Sequence, residues 1–430
     1  MNRLILSAFC ALALAATAAF GQQEKIDQLV KKIAPDIIKM REHIHQNPEL
    51  GNREFKTAEL VANHLRSLGM EVTTGVAHTG VVGLLKGGKP GPVVAVRADM
   101  DALPVTEETG YSFKSTTKTQ YLGKEVGVMH ACGHDIHTSV QLGVASVLAA
   151  LKDELPGTVK FIFQPAEEGP PPDEEGGAEL MMKEKVLENP RPSAIFGLHT
   201  LASMEVGKVG YTSGPAMAAV DHFKIDLHGK QAHGAKPEES IDPIVMASQV
   251  VMAFQTIRAR SLPPLAPSVV TVGIIQAGER FNIIPASAHI EGTVRTYDAE
   301  VRNTVEQRMH AILKGITGAY GGSYEMQYDR GAPATINNPE LTAQMIPSIV
   351  SVLGEENVEI ISPTMTGEDF AYFALDVPGL YYRLGMVKPG TVSGGHHTPT
   401  FAADNEAVSV GMRVMSRLLV DYLEMQKNAQ

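Results

Sequence analysis

The sequence predicts an α/β protein in which a mostly parallel-sheet domain is interrupted by an inserted α+β domain of ferredoxin-like topology. Three observations predict this class. Short apolar segments alternate with helical segments early in the chain, as they do in parallel sheets. From about residue 213 the order becomes strand–helix–strand–strand–helix–strand, which is the ferredoxin-like split. The length of 430 residues exceeds what one hydrophobic core usually supports, so two domains are expected.

The first domain is predicted over residues 22–212 and 328–430. Apolar residues recur at helical spacing in two segments, 25–47 and 57–68, which predicts amphipathic helices there. Asp135 is expected to be the N-cap of a third helix that runs to Leu151. Continuous apolar runs between the helices predict buried strands at Gly80–Leu85, Pro92–Val96, Thr158–Phe163 and Ala194–Leu198.

The inserted domain is predicted over residues 213–327. Asp242 and Pro243 are suited to the N-cap and the first position of a helix that ends near Arg260. A second helix is expected to stop at Gly321, because glycine favours helix ends. Alternating apolar and polar residues predict strands at Ala219–Leu227, Val269–Gln276, Ala288–Arg295 and Tyr324–Tyr328.

Residues 1–21, MNRLILSAFCALALAATAAFG, have the pattern of a secretory signal peptide. Arg3 is their only charge, an apolar stretch follows it, and small residues precede the expected cleavage after Gly21. The sequence therefore predicts an exported protein, periplasmic or secreted, with no membrane anchor after cleavage. Because Cys10 would leave with the signal, Cys132 would be the only cysteine of an exported chain and could form no intramolecular disulfide.

The composition excludes several classes of protein. Hydrophobic residues make up 44% of the chain and charged residues 20%, which is typical of a folded globular protein rather than a disordered one. The chain has 37 Lys and Arg against 48 Asp and Glu, a net charge of −11. This acidic balance, with no basic run, argues against a nucleic-acid partner.

Side chains that can bind a transition metal follow predicted strands or lie in loops of the first domain. Thiolate and imidazole suit such a metal, and ligand sites lie off the carboxyl ends of strands in α/β sheets. In FIFQPAEEG, one of two adjacent carboxylates could bind metal while the other faces water or substrate. Jointly these residues predict a metal site: Cys132 and His134 in MHACGHDIHTS, Glu167 and Glu168, His199 in AIFGLHT, and His396 and His397 in GGHHTPTF.

Three further candidates lie in the inserted domain. His233 stands between small residues in GKQAHGAKPEESIDP, after a predicted strand. Asn282 in RFNIIPASA and Arg295 in GTVRT offer an amide and a guanidinium. A turn-forming role for Asn282 and a simple surface charge for Arg295 are the alternative interpretations.

The mature chain resembles the N-acyl-amino-acid amidohydrolase branch of the di-metal peptidase superfamily, which includes hippurate hydrolases, bacterial aminoacylases and plant auxin-conjugate hydrolases. The resemblance covers essentially the whole mature chain. It rests on these segments, in this order: HQNPELGNREFKT, VRADMDALPVTEE, MHACGHDIHTS, FQPAEEG, FGLHT, GKQAHGAKPEESIDP, NIIP, GTVRT, TGEDFAYF and HHTPTF.

The resemblance implies roles for these residues. The metal ligands would be Cys132, His134, Glu168, His199 and His397, the last chosen because the family ligand stands two residues before the motif proline, here Pro399. Glu167 would be the general base. The inserted domain would be a lid and dimerisation domain, and His233, Asn282 and Arg295 would contact substrate. Asp99 ends a strand where distant relatives place a ligand, so it is expected to support a ligand instead of binding metal.

The expected reaction is metal-dependent hydrolysis of N-acyl amino acids, with N-acetyl or N-benzoyl groups as examples, by a homodimer. Two divalent ions per subunit are expected, Mn, Zn or Co, with one ion as the alternative. A dipeptidase or carboxypeptidase of the same superfamily is the rival enzyme. Two other hypotheses are a thiol hydrolase with Cys132 as nucleophile and His134 as base, and a periplasmic metal- or solute-binding protein.

Overall fold

The computed structural model describes residues 2–427, and for residues 2–20 it describes the backbone only. The chain forms two compact units. The first unit comprises residues 1–214, 337–361 and 372–430, and the second comprises residues 215–336 and 362–371. The side chains of the predicted signal peptide, apart from Gly21, lie outside the described residues.

Helices and strands alternate through the first part of the chain. The helices are α1 (Asn2–Gln46), α2 (Phe55–Ser67), α3 (His134–Ala150) and α4 (Gly177–Lys183). The strands are β1 (Glu71–Val76), β2 (Gly80–Lys86), β3 (Lys89–Asp99), β4 (Lys118–Tyr121), β5 (Lys124–Gly127), β6 (Pro156–Gln164), β7 (Ile195–Glu205) and β8 (Val209–Tyr211).

The second unit and the return to the first complete the chain. The elements between them are β9 (Gly214–Met217), β10 (Ala219–His228), β11 (Ala232–His233), α5 (Pro243–Arg260), β12 (Ser268–Ala277), β13 (Ile283–Ile284), β14 (Ser287–Thr296), α6 (Ala299–Tyr320) and β15 (Ser323–Arg330). The last elements are β16 (Thr335–Asn337), α7 (Pro339–Leu353), β17 (Val358–Ile360), α8 (Ala371–Ala374), β18 (Gly379–Val387) and α9 (Glu406–Lys427).

The first unit is built on an eight-stranded sheet in the order β1-β2-β6-β3-β7-β18-β8-β17. Its four central strands, β6, β3, β7 and β18, run parallel. β2 pairs antiparallel with β6 on one side, and β8 pairs antiparallel with β18 on the other. This large, mostly parallel sheet confirms the predicted fold class.

Helix α3 lies in the middle of the first unit's core. Every residue from His134 to Leu148 is buried, which is what a helix covered on all sides requires. It packs against α1 and α9. The predicted capping role of Asp135 is wrong: Gly133 is the N-cap, and the Asp135 carboxylate instead accepts an ion pair from buried Arg41 at 2.7 Å. Among the described residues, no helix is both long and apolar enough for a membrane crossing.

The second unit contains a four-stranded antiparallel sheet in the order β12-β14-β10-β15. Together with α5 and α6 it has the predicted strand–helix–strand–strand–helix–strand order. Asp242 caps α5 by accepting from Ile244 N at 2.9 Å, and Pro243 is the first helical residue. Gly321 ends α6 in the left-handed conformation. The helices cover one face of the sheet around a separate apolar core that includes Phe223 and Phe254.

Candidate metal centre and active site

The parallel strands bring their polar ends to one edge of the sheet. Asp99 is the last residue of β3 and pairs with Gln164, the last residue of β6. Arg97 pairs with Gly197, so two residues further along Asp99 is level with His199 in β7. Glu167 and Glu168 follow three and four residues after the end of β6. This convergence is the general reason that ligands bind off the carboxyl ends of such strands.

Cys132 and His134 reach the same edge from the turn that precedes α3. Gly133 between them has φ +92°, a conformation that residues with a Cβ rarely adopt. A Cβ at this position would also collide with Thr200 Oγ1. The turn therefore needs glycine, and through it the thiol and the imidazole flank a single tight backbone bend.

The six predicted residues of this unit lie together. Cys132 Sγ is 3.4 Å from His199 Nε2, and His397 Nε2 is 3.0 Å from Glu168 Oε1. His134 Nε2 is 3.7 Å from Glu167 and 3.9 Å from Glu168. Donor atoms lie within 4.8 Å of one another in these sets: Cys132–His134–His199, Cys132–Glu168–His397 and His134–Glu167–Glu168.

Two of the imidazoles are held so that Nε2 can accept a metal. His134 Nδ1 donates to Asp101 O at 2.9 Å, and His199 Nδ1 donates to Thr200 O at 2.7 Å. In a neutral imidazole the proton on Nδ1 leaves a lone pair on Nε2. Buried His134 Nε2 has no hydrogen-bond partner among the described residues, which is the arrangement expected of a metal ligand. The residues therefore fit a transition metal.

The charges of the site favour the binding of a cation. Burial lowers the pKa of His134, but the charges of Asp99 and Asp101 outweigh it and raise that pKa to about 10. Burial and the charges of Glu168 and Glu167 raise the pKa of the Cys132 thiol well above its usual value. A divalent cation would reverse both effects, because a coordinating imidazole and a coordinating thiol are both deprotonated. The donor set is thus an anionic, buried site that a divalent metal would neutralise.

The thiol-hydrolase hypothesis does not fit this environment. A cysteine nucleophile needs an accessible thiolate of lowered pKa, as beside a cationic histidine. Cys132 is 7% exposed, and its thiol pKa is raised by burial. The base of that hypothesis is His134, whose pKa is raised to about 10 by Asp99 and Asp101, so without a metal the ring already holds the proton that a base has to accept. The imidazole in hydrogen-bond contact with Cys132 Sγ is that of His199 instead, at 3.4 Å, and burial lowers its pKa well below the usual value.

The two loop histidines point to different partners. His397, with φ +64°, contacts the Glu168 carboxylate. His396 instead lies with Nε2 3.1 Å from Thr200 O, and its pKa is lowered to about 4 by burial. Because only His397 shares a donor set with Cys132 and Glu168, the geometry favours it over His396 as a ligand.

The sequence analysis did not single out His137. This buried ring donates from Nδ1 to Asp99 Oδ1 at 2.6 Å and accepts at Nε2 from Thr200 N at 2.9 Å. Both nitrogens are therefore occupied, so His137 supports the site and does not offer a lone pair. Its position three residues after His134 on α3, hence on the same helix face, was the available signal. Asp99 is likewise engaged, because it accepts from Arg97 Nη1 at 2.7 Å.

The candidates of the second unit form a smaller arrangement. β11 pairs with β13 so that His233 lies opposite Ile283, next to Asn282. His233 is exposed, and its Nδ1 accepts from Ala235 N at 3.0 Å. Asn282 Oδ1 is buried without a hydrogen-bond partner. Arg295 lies on β14, half-buried, and the described residues show no hydrogen bond from it to His233 or Asn282.

The part of the chain that carries this donor cluster matches the model of a known protein family. Residues 95–421 match the model for peptidase family M20/M25/M40. The chain belongs to this family. M20 proteins are peptidase-like hydrolases that bind metal, so membership contradicts the hypothesis of a solute-binding protein.

Several M20 relatives match over nearly their whole length. Thermostable carboxypeptidase 2 of Saccharolobus solfataricus is 39% identical over 93% of this chain and 98% of its own. The N-acyl-L-amino acid amidohydrolase of Geobacillus stearothermophilus is 43% identical over 74% of this chain and 82% of its own. The crystal structure of Bacillus subtilis YXEP, a dinuclear metal-binding peptidase from the M20 family, superposes with a TM-score of 0.77 at 34% identity, covering 92% of this chain and 99% of that one.

These M20 relatives overturn the predicted export. The similarity to the Geobacillus amidohydrolase and to the N-acetyl-L-cysteine deacetylase of Bacillus subtilis contradicts the prediction that this chain is periplasmic or secreted. The prediction rested on the sequence pattern of residues 1–21 alone, with one arginine, an apolar stretch and small residues before Gly21. The argument that Cys132 is a lone cysteine in an oxidising compartment falls with it, and the case for Cys132 rests on its contacts with His199 and Glu168.

Proposed function

We propose that this M20 protein hydrolyses the amide bond of N-acyl amino acids, releasing a carboxylic acid and a free amino acid. The observation that carries the proposal is the proximity of Glu167 to the donor cluster, 3.7 Å from His134 Nε2. Metal-assisted hydrolysis requires a base that lies beside the metal ligands without being one of them, and a carboxylate in this position can take a proton from water. The amidohydrolase relative supports the same substrate class.

Five residues would hold the metal, with two ions per subunit as the proposed occupancy. The chemistry that a divalent metal such as Mn, Zn or Co supplies when bound is polarisation of the amide carbonyl and a lowered pKa of water, towards about 7. The backbone oxygens of Asp101 and Thr200 orient the ligand imidazoles of His134 and His199. Asp99 orients the neighbouring imidazole of His137. The proposed ligands are Cys132, His134, Glu168, His199 and His397.

Glu167 is the proposed general base. Its carboxylate takes a proton from the attacking water and later gives that proton to the nitrogen of the leaving amine. Such a transfer typically contributes about 10²–10⁴-fold to the rate. Ala166, which precedes Glu167, has φ +50° and is held by its N–H, which donates to Glu54 Oε1 at 2.8 Å. This contact supports the backbone that carries the base.

The second unit is proposed to contact the amino-acid half of the substrate. Because His233 Nδ1 accepts from Ala235 N, a neutral ring carries its proton on Nε2 and can donate to the carbonyl oxygen as charge develops there. Arg295 would pair with the substrate carboxylate, which a guanidinium can bind through two hydrogen bonds. Asn282 Oδ1, buried and unpartnered, can accept from the substrate.

The second unit is also proposed as a lid and dimerisation domain. β12 is an edge strand of its sheet, and it exposes Ile274 and Ile275. Exposed edge strands can pair with a second copy around a two-fold axis. The proposed assembly is a homodimer joined through this edge.

Carboxypeptidase activity is the second candidate, because the relative from Saccharolobus solfataricus carries that name at 39% identity. The two candidates differ in the group on the carbonyl side of the scissile bond. An N-acyl amino acid presents a neutral acyl group, whereas a short peptide presents an α-ammonium group that would need an anionic partner.

A substrate panel tests the proposal. The full chain is stripped with a chelator, reloaded separately with Mn, Zn and Co, and assayed on N-acetyl amino acids, N-benzoyl amino acids and free dipeptides. We expect metal-dependent release of amino acid from the acylated substrates. Hydrolysis of the free dipeptides alone would replace the proposal with the peptidase candidate, and full activity after metal removal would contradict both.

A further inference from the structure

The proposed function leaves open which acyl groups the enzyme accepts, and the inference below rests on that function. The proposed contacts to the amino-acid half, His233, Asn282 and Arg295, all lie in the second unit. The proposed base Glu167 and the ligands lie in the first unit. The scissile carbonyl belongs to the acyl half and must lie beside the metal ligands, so the acyl half begins at the first unit.

One cavity of the first unit reaches the metal ligands. It has a volume of about 520 Å³ and is lined by Glu168 and Gly169 on the side of the metal site. Its opposite wall is the β4–β5 hairpin, whose residues 117–122 line it. A larger cavity near Lys208 and Val392 has none of the proposed ligands in its lining. The hairpin cavity is therefore the place where an acyl group can extend while its carbonyl stays near Glu168.

The charged side chains that line this cavity already have hydrogen-bond partners in the first unit. Glu49 accepts from Thr57 N at 2.9 Å, Arg53 donates to Glu174 at 3.1 Å, and Lys118 donates to Glu125 at 3.0 Å. Glu168 pairs with His397. Leu50, Leu103 and Pro104 add apolar surface to the lining. The lining thus suits a neutral, apolar group.

The tip of the hairpin carries an unusual residue. Tyr121 pairs with Lys124, so Leu122 and Gly123 form a two-residue turn, with φ +49° and +75°. Such turns favour Asn-Gly or Asp-Gly, because both central residues need positive φ. Leu122 nevertheless occupies the first position, is 67% exposed and lines the cavity. A strained, solvent-exposed apolar side chain at a ligand cavity indicates a functional reason for its presence.

We propose that the β4–β5 hairpin forms the acyl pocket of this enzyme, that the pocket selects apolar acyl groups larger than acetyl, and that Leu122 covers the bound group. In this arrangement the hairpin determines specificity and takes no part in the chemistry. The hairpin contributes apolar contacts to the binding of the acyl group, so its contribution grows with the size of that group.

The test uses the metal-loaded full chain and a series of N-acyl-L-alanines: acetyl, butanoyl, hexanoyl and benzoyl. Thr119 lines the cavity, and Thr119→Trp would fill it; Lys124→Trp adds the same bulk to the hairpin outside the lining. We expect kcat/KM of the wild type to rise by about tenfold or more from acetyl to hexanoyl, as pocket contacts with added methylenes allow. Thr119→Trp should remove that rise, whereas Lys124→Trp should keep it.

Leu122→Asn separates function from folding. Asparagine suits the turn better than leucine, so the variant should melt no lower than the wild type. The ratio of its kcat/KM for hexanoyl and benzoyl substrates to that for the acetyl substrate should nevertheless fall several-fold. An unchanged acyl preference in both Thr119→Trp and Leu122→Asn would overturn the pocket while leaving the amidohydrolase function intact. Failure of every N-acyl substrate would overturn the proposed function, and this inference with it.

Discussion

In the first unit the candidate ligands His134, Cys132 and His199 are buried, and the two rings are each held by a backbone carbonyl. In the second unit His233 is exposed on a two-residue strand, and Arg295 is half-buried. The difference follows from what each group must do. A metal site needs several donors at set distances, which burial and packing provide, whereas a substrate contact has to remain accessible until substrate arrives.

The largest expected effect comes from the buried side of this comparison. Glu167→Gln removes the proposed base but keeps the shape of the side chain, so kcat should fall by about 10²–10⁴-fold. Metal content and melting temperature should stay near those of the wild type. Glu175→Gln, a neighbouring exposed carboxylate, is the control. Near-normal turnover of Glu167→Gln would remove this residue from the mechanism.

The second prediction tests the exposed side. His233→Ala should lower kcat by about 10²–10³-fold, the usual loss for one oxyanion donor, with little change in stability because the ring is exposed. Co-expression with Glu167→Ala tests whether His233 serves the partner's site in the proposed homodimer. About half of the dimers would be mixed and about a quarter of all sites would regain both groups. Activity that stays at background would assign His233 to its own chain's site.

The third prediction concerns buried Cys132 and tests whether it is a metal ligand or a reactive thiol. Cys132→Ser should lower metal affinity by about tenfold or more, since hydroxyl is a poor replacement for thiolate. In the wild type, a thiol reagent should label the metal-free protein faster than the metal-loaded protein. Metal content by mass spectrometry and labelling rates are the measurements. Equal labelling of both forms would contradict coordination by Cys132.

The smallest effect is on stability and concerns the support behind the base. Burial and the charge of Asp101 raise the pKa of Glu54 to about 8, against about 4.3 in an unfolded chain. Between these values folding requires a proton that the unfolded chain does not hold, so stability falls as pH rises, by at most about 1.4 kcal/mol per pH unit. Stability is affected least below about pH 4 and the loss is complete above about pH 8.

Glu54→Gln cannot ionise, so its melting temperature should fall less than that of the wild type between pH 5 and pH 8. Glu125→Gln, at an exposed carboxylate, should keep the wild-type slope. If the melting temperatures of the wild type and Glu54→Gln fell equally between pH 5 and pH 8, Glu54 would be ionised in the folded protein over this range and its pKa would not be raised. The same variant should lower activity only modestly, because Glu54 holds Ala166 and not the substrate.

Local signals predicted the elements that carry the site. The apolar run at Thr158–Phe163 lies within β6, and the Asp242-Pro243 start of α5 has the expected cap. The β4–β5 hairpin was not predicted, because its strands have only four residues each and lack a clear apolar alternation. Asp135 was misinterpreted, since a capping preference near a helix start competes with buried Arg41, which lies 94 residues earlier in the chain.

The sequence by itself determined the chemistry that is available: a thiol, imidazoles and paired carboxylates at the ends of apolar segments, and the alternation that makes a mostly parallel sheet. Tertiary structure decided which of them act together. The pairing of Asp99 with Gln164 makes the strand ends level, contacts from Asp101 and Thr200 choose the ring nitrogens that face inward, and Thr200 N occupies the nitrogen of His137 that would otherwise resemble a ligand. The physical reason is that residue type and local spacing act over a few positions, whereas ligand geometry depends on hydrogen bonds and burial between segments tens of residues apart.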